Sequence, residues 1–124
     1  MEKVKKILIV EDEIALITAL SDKLTNEGYD VIKAMDGKEG LKSAILERPD
    51  IVLLDINLPV MDGITMLKEL RKDEFGKSVE VVMLTNFNEY KLLADALAQG
   101  AHDYIVKSDW KLEDIVKLVS DKLK

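Results

Sequence analysis

Glu11-Asp12, Asp55, Thr85 and Lys107 each stand at the end of a short apolar run. Ile7-Leu8-Ile9-Val10 leads into Glu11-Asp12, Ile51-Val52-Leu53-Leu54 into Asp55, Val81-Val82-Met83-Leu84 into Thr85, and Tyr104-Ile105-Val106 into Lys107. If the fold brings these ends together, one pocket holds three carboxylates, a hydroxyl and an amine. Two unit charges about 4 Å apart interact by about 4 kcal/mol at an effective dielectric of 20, so three carboxylates need compensation. Lys107 supplies one positive charge and a divalent cation would supply two more. Mg²⁺ suits such a set because it takes hard oxygen ligands in six-fold geometry and keeps some of its waters.

The elements that must position these residues follow from the same runs. Short continuous apolar stretches separated by helical patterns read as buried parallel strands. The expected strands are Lys5–Val10, Tyr29–Ala34, Ile51–Leu54, Val79–Leu84 and Asp103–Val106. Between them, the first helix carries Ile17, Leu20 and Leu24 at helical spacing, with Gly28 suited to a left-handed C-terminal cap. The second helix runs from near Lys38 to Glu47, with Leu41, Ala44 and Ile45 inward and Pro49 stopping it. The third helix buries Ile64, Leu67 and Leu70. The fourth turns Leu93, Ala96 and Leu97 inward and ends at Gly100, and the fifth carries Leu112, Ile115, Val116, Val119 and Leu123. Alternating strands and helices imply an α/β domain, a single doubly wound parallel sheet of five strands with five helices on both faces and right-handed crossovers. In such open sheets ligand chemistry gathers outside the carboxyl ends of the strands, where all five residues would lie.

Composition narrows the function classes. With 124 residues the chain is one domain, residues 1–124, without repeat, linker or low-complexity tract. Apolar content of 48% beside 34% charged residues is ordinary for a globular protein. A net charge of −6 with no basic stripe argues against direct nucleic-acid binding. No apolar stretch approaches the ~20 residues of a bilayer span, and the start Met-Glu-Lys-Val-Lys-Lys lacks a signal-peptide core. Absence of cysteine excludes disulfides, a thiolate nucleophile and Cys-type zinc sites, and fits a cytoplasmic location.

Taken together, Glu11-Asp12, the run Asp55-Ile56-Asn57-Leu58-Pro59-Val60-Met61-Asp62-Gly63, Thr85 and Lys107 resemble a response-regulator receiver domain of two-component signalling, chemotaxis-receiver-like, over the whole chain. The resemblance implies a flavodoxin-like fold with strand order 2-1-3-4-5. It implies that Asp55 accepts a phosphoryl group from a sensor histidine kinase or phosphotransfer protein, forming an acyl phosphate. Mg²⁺ or Mn²⁺ would be held by Asp12, Asp55 and the Asn57 carbonyl, with Glu11 acting through water or directly. Thr85 and Lys107 would meet the phosphoryl oxygens, and Tyr104 resembles the aromatic switch that fills space vacated by Thr85. The output would be the face made by the fourth helix, fifth strand and fifth helix, binding a downstream target or a second receiver, in a monomer or weak homodimer. Such a protein is a phospho-acceptor regulator rather than an enzyme, catalysing only its own phosphorylation and dephosphorylation. It is either a stand-alone receiver or part of a longer regulator.

The chain departs from the family pattern at three places. Ser108 follows the lysine where proline in a cis bond is usual. A cis bond before a non-proline residue costs about 2.5–4 kcal/mol, so Lys107–Ser108 is expected to be trans. Asn86 follows Thr85 where a very small residue is usual, and Phe87 and Asn57 are placed to flank the path of water to the phosphoryl group. Ser108-Asp109-Trp110 replaces the usual proline-aromatic turn before the fifth helix.

Several residues have plainer readings. Asp62-Gly63 reads as turn chemistry, His102 as a solvated residue beside the Gly100 turn, and Met61, Met66 and Met83 as packing or loop residues. Other classes compete. A phosphohydrolase with an aspartate nucleophile would carry a second acid two residues on, where Asn57 stands. A flavodoxin-type cofactor binder would need a phosphate loop after the first strand, where Glu11-Asp12 would repel phosphate. A degenerate receiver acting only as a protein-binding scaffold would be expected to have lost Asp55, Lys107 or the acidic pair.

Overall fold

The computed structural model describes residues 3–86 and 89–124. The chain alternates β1 (Lys6–Val10), α1 (Ile14–Asn26), β2 (Asp30–Ala34), α2 (Gly37–Glu47), β3 (Ile51–Asp55), α3 (Gly63–Arg71), β4 (Glu80–Thr85), α4 (Tyr90–Ala98), β5 (Asp103–Val106) and α5 (Leu112–Lys122). The strands form one parallel sheet in the order β2-β1-β3-β4-β5, as expected.

Successive side chains of a strand point to opposite faces, and here both faces are covered. Leu8, Val10, Val52, Leu54, Val81 and Met83 pack with Ala44 of α2, Leu67 and Leu70 of α3 and Leu93 and Ala96 of α4. Ile7, Ile9, Ile51, Leu53, Val82, Leu84 and Ile105 pack with Ile17, Leu20 and Leu24 of α1 and Ile115, Val116 and Val119 of α5. Three helices therefore cover one face and two the other. Burial on both sides explains why the strands read as unbroken apolar runs rather than alternating ones.

Boundaries and faces differ from expectation in small ways. β1, β2 and β4 begin one residue later, and β3 and β4 include Asp55 and Thr85 as their last residues. Ile45 and Leu97 are 40% and 43% exposed rather than inward. In α2 the small residues Gly40 and Ala44 supply the contact with the sheet; a Cβ on Gly40 would lie 2.7 Å from the Val10 side chain. That close approach leaves the outer positions of the helix to solvent. α4 likewise buries only Leu93 and Ala96. Gly28 and Gly100 take positive φ of 96° and 86° after α1 and α4, the backbone that ends both helices. Asp62 caps α3, its Oδ1 accepting the Thr65 N–H at 2.9 Å, so its role is turn chemistry as expected. No peptide bond is cis among the described residues, which makes Lys107–Ser108 trans. Phe87 lies outside the described residues.

Candidate functional site

All four chemistry-bearing strands end on the same edge of the sheet. Register pairs Val10 with Leu54, Asp55 with Leu84, and Thr85 with Val106. The ladder then runs past the strands: Glu11 N–H donates to Ala34 O at 3.0 Å, and Lys107 N–H to Thr85 O at 2.8 Å. These bonds fix the backbones of Glu11 and Lys107 beside Asp55.

The site is buried and charged. Glu11 is fully buried, Asp55 is 2% exposed and Thr85 is fully buried, whereas Asp12 is open to solvent. One carboxylate oxygen from each of Glu11, Asp12 and Asp55 lies within 4.8 Å of the others. Lys107 Nζ sits 2.6 Å from Glu11 Oε1 and 3.2 Å from Asp55 Oδ2. Glu11 Oε2 accepts the Glu13 N–H at 3.0 Å, which ties the carboxylate to the start of α1. Asp55 Oδ1 is buried and has no hydrogen-bond partner among the described residues.

Electrostatics follow from that arrangement. Burial, and then the negative charge of Glu11, push the Asp55 carboxyl up to about 7, with Lys107 opposing them. Burial pulls the Lys107 ammonium down, but its hydrogen bond to Glu11 and the charges of Asp55 and Glu11 outweigh this and raise it. Three ionised carboxylates and one ammonium leave two negative charges, which a divalent cation would balance. A hard oxygen set in which buried carboxylate oxygens of Glu11 and Asp55 lack hydrogen-bond partners among the described residues fits Mg²⁺ or Mn²⁺.

Other named residues take less central places. Asn57 is exposed on the loop after β3, two residues beyond Asp55. Gly63 closes that loop, donating its N–H to Ile56 O at 2.8 Å; a Cβ there would lie 2.0 Å from the Asp55 carbonyl oxygen. Thr85 Oγ1 donates to Asn86 O at 3.0 Å. Tyr104 is 40% exposed on β5, so its ring faces outward in this structure. His102 is exposed as expected, yet its Nδ1 also accepts the buried Val81 N–H at 3.1 Å.

Glu89 was not foreseen from the sequence. It is 8% exposed, its Oε1 accepts the Asn86 N–H at 2.9 Å, and its own N–H donates to Asn86 O at 3.0 Å. The pattern Asn86-x-x-Glu89 ahead of a helix was the available signal, since reciprocal capping uses that spacing.

A doubly wound five-stranded sheet with an acidic pocket and a lysine at its carboxyl edge defines the class of phospho-acceptor signalling domains. The family model for the response regulator receiver domain matches residues 7–120. The chain belongs to that family. It is 44% identical over 103 residues to the alkaline phosphatase synthesis transcriptional regulatory protein PhoP of Bacillus subtilis, covering 83% of this chain and 42% of that protein. It is 38% identical over 102 residues to the response regulator PleD of Caulobacter vibrioides, covering 82% of this chain and 22% of that protein. The chain thus spans less than half the length of these curated relatives. Among solved structures it is similar to the chemotaxis response regulator CheY4 of Vibrio cholerae, with TM-score 0.88, 31% identity, and coverage of 97% of this chain and 99% of that one. It is equally similar to the receiver domain of the sensor histidine kinase PA1611 of Pseudomonas aeruginosa, whose structure has a magnesium ion in its active-site cleft. That match has TM-score 0.87, 30% identity and coverage of 98% of both chains. Receiver domains are regulatory phospho-acceptors that bind Mg²⁺ in an acidic pocket and work with histidine kinases or phosphotransfer proteins. No helix among the described residues is long and apolar enough to cross a membrane.

Proposed function

We propose that this chain is a phosphorylation-activated switch whose acceptor is Asp55. The observation that carries the reading is the Asp55 carboxylate itself: 2% exposed, one oxygen 3.2 Å from Lys107 Nζ and the other buried without a partner. An orphaned buried carboxylate oxygen costs free energy unless it serves a ligand or a reaction.

Asp12, Asp55 and the Asn57 carbonyl would hold Mg²⁺ or Mn²⁺. Glu11 would act through water, since both of its oxygens already face protein donors at 2.6 Å and 3.0 Å. When bound, the metal supplies positive charge to the transferring phosphoryl oxygens. A carboxylate oxygen of Asp55 attacks phosphorus; the new O–P bond forms as the P–N bond to a donor phospho-imidazolium breaks, and the electron pair returns to the ring nitrogen, leaving a neutral imidazole whose other nitrogen keeps its proton. Lys107 moves from neutralising the carboxylates to pairing with the phosphoryl group, and Thr85 turns its hydroxyl from Asn86 O towards it. Such transfer is governed by positioning and charge neutralisation rather than by proton chemistry.

The output would be the α4–β5–α5 face, presented to a downstream target or a second receiver by a monomer or weak homodimer in the cytoplasm. Tyr104, on the middle element of that face, would turn inward as Thr85 moves. A scaffold without phosphorylation chemistry leaves the shared burial of Glu11, Asp55 and Lys107 without a purpose.

Incubation with Mg²⁺ and acetyl phosphate or phosphoramidate, read by intact mass, tests the reading. One phosphoryl group should be gained by the wild-type chain and none by Asp55→Ala. Peptide mapping that places the group elsewhere would overturn the assignment.

A further inference from the structure

The two ends of α4 are held very differently, and the difference rests on Arg71, the last residue of α3. Its Nε donates to Gln99 O at 3.2 Å, Nη1 to Gly76 O at 2.7 Å and Val79 O at 2.9 Å, and Nη2 to Gly100 O at 2.7 Å. One guanidinium thus joins four carbonyls from the turn after α4 and the loop before β4. Gln99 is the C-terminal cap residue of α4, so the contacts fall where a helix leaves its carbonyls unpaired and its dipole is negative. Gly100 makes room: a Cβ there would lie 3.4 Å from Arg71 Nε, and its φ of 86° favours glycine independently.

Among the described residues, the first turn of α4 has no comparable hold. Its cap residue Glu89 gives the helix no side-chain hydrogen bond, the first turn carries no acidic residue, and Tyr90 and Leu92 are 56% and 45% exposed. Among the described residues this end is tied by the pair of bonds between Glu89 and Asn86, one of which shares its acceptor with Thr85. Asn86 O receives both the Thr85 hydroxyl and the Glu89 N–H.

We propose that Arg71 is the positioning residue that makes the C-terminal end of α4 a fixed pivot, so that signalling movement is confined to its Asn86-side end. A planar fork with five donors can serve four carbonyls at once; a lysine ammonium, with three donors on a flexible stem, cannot. The pivot matters for signalling only if α4 belongs to the output face, as proposed above. Its existence is measurable in the chain without any phosphoryl group.

Amide-resolved hydrogen exchange by NMR on the full chain separates the two. In the wild type, Gln99 and Ala101 should exchange at least about tenfold more slowly than Leu93, the effect expected of charge-assisted bonds confined to one end. Arg71→Lys should abolish that ratio while leaving Mg²⁺ affinity at the distant acidic pocket unchanged. Arg71→Met serves the same purpose without the charge. A uniform loss of stability speeds all three amides together, so the ratio reports the anchor rather than global unfolding. Equal protection at both ends in the wild type, or an unchanged ratio in Arg71→Lys, overturns the pivot. With a beryllium fluoride mimic on Asp55, exchange should change at Leu93 and not at Gln99 and Ala101; the reverse pattern also overturns it. If the ratio stands but the mimic leaves all of α4 unchanged, the anchor is upheld and the output reading fails.

Discussion

The Lys107 ammonium lies 2.6 Å from Oε1 of Glu11, a carboxylate with none of its surface exposed. This pair neutralises buried charge in the pocket without any metal or phosphoryl group. Breaking a buried ion pair by removing one partner leaves the other charge unpaired, at a cost of about 3–5 kcal/mol. Lys107→Ala should therefore lose roughly 3 kcal/mol of stability at neutral pH in metal-free buffer. Mg²⁺ should recover part of it by replacing the missing charge. Urea denaturation with and without Mg²⁺ measures both, and a Lys107→Ala midpoint equal to wild type without metal would refute the pairing.

Stability of the metal-free chain should fall as pH rises through neutrality. Asp55 is raised from 3.8 to about 7, so its folded value exceeds its unfolded one. The folded state binds the proton more tightly; the associated stability is fully present below about pH 4 and is lost as pH rises through about 7. At 1.36 kcal/mol per unit, the whole effect is about 4 kcal/mol, most of it lost between pH 4 and 7. Asp55→Asn should flatten the slope and be more stable than wild type at pH 8 without metal. Denaturant titrations across that window decide it, and an unchanged slope in Asp55→Asn would place the titration elsewhere.

Metal should reverse the trend, because a cation held by Asp55 would compete with the proton for that carboxylate. At a Mg²⁺ concentration one hundred times its dissociation constant, the folded state gains about 2.7 kcal/mol by mass action. The gain should shrink below pH 7 and vanish in Asp12→Ala, whose exposed carboxylate is the open side of the cluster. Thermal midpoints with Mg²⁺ or excess chelator provide the measurement. No shift in wild type at tens of millimolar Mg²⁺ would exclude the metal pocket.

Much of this was legible in the sequence. The strand runs could be read because both faces of the sheet are buried, and parallel pairing then had to bring their ends to one edge. Glu11, Asp55, Thr85 and Lys107 were visible for the same reason: each is the first polar residue after a run of isoleucine, leucine or valine. Ile45 and Leu97 were misplaced because helical spacing alone cannot show how wide the buried stripe is. Gly40 and Ala44 bring α2 so close that few further positions can turn inward. Arg71 was missed because its partners are backbone carbonyls, which leave no trace in side-chain patterns, whereas Glu89 was signalled only by its three-residue spacing from Asn86.

Gly63 tests how closely the loop after β3 is fitted to Asp55. An added Cβ would lie 2.0 Å from the Asp55 carbonyl oxygen and 2.9 Å from the carbonyl carbon, so backbone must shift. Gly63→Ala should destabilise the chain by about 2 kcal/mol or more and weaken Mg²⁺ binding at the same time. Gly28→Ala is the control: nothing lies within 4 Å of its Cβ, and its cost should be backbone strain alone, with metal affinity unchanged. Equal Mg²⁺ affinities for Gly63→Ala and wild type would show that the loop does not position the site.

Phosphorylation should be read out at Tyr104 through Thr85. Thr85 is fully buried with its hydroxyl on Asn86 O, while Tyr104 is 40% exposed, the pairing expected of an unphosphorylated state. Drawing the hydroxyl toward a phosphoryl group on Asp55 empties the space behind it, and burying a tyrosine ring there is favourable by the area it removes from water. A beryllium fluoride mimic should therefore lower the exposure of Tyr104, shifting its ring signals in NMR and slowing its reaction with solvent-borne reagents. Thr85→Ala should uncouple the two: the mimic still binds, but Tyr104 stays outward in most molecules. Tyr104→Trp adds a second indole to the single one at Trp110, and its emission should move to shorter wavelength with the mimic. If Tyr104 responds equally in wild type and Thr85→Ala, the hydroxyl is not the link between acceptor and output face.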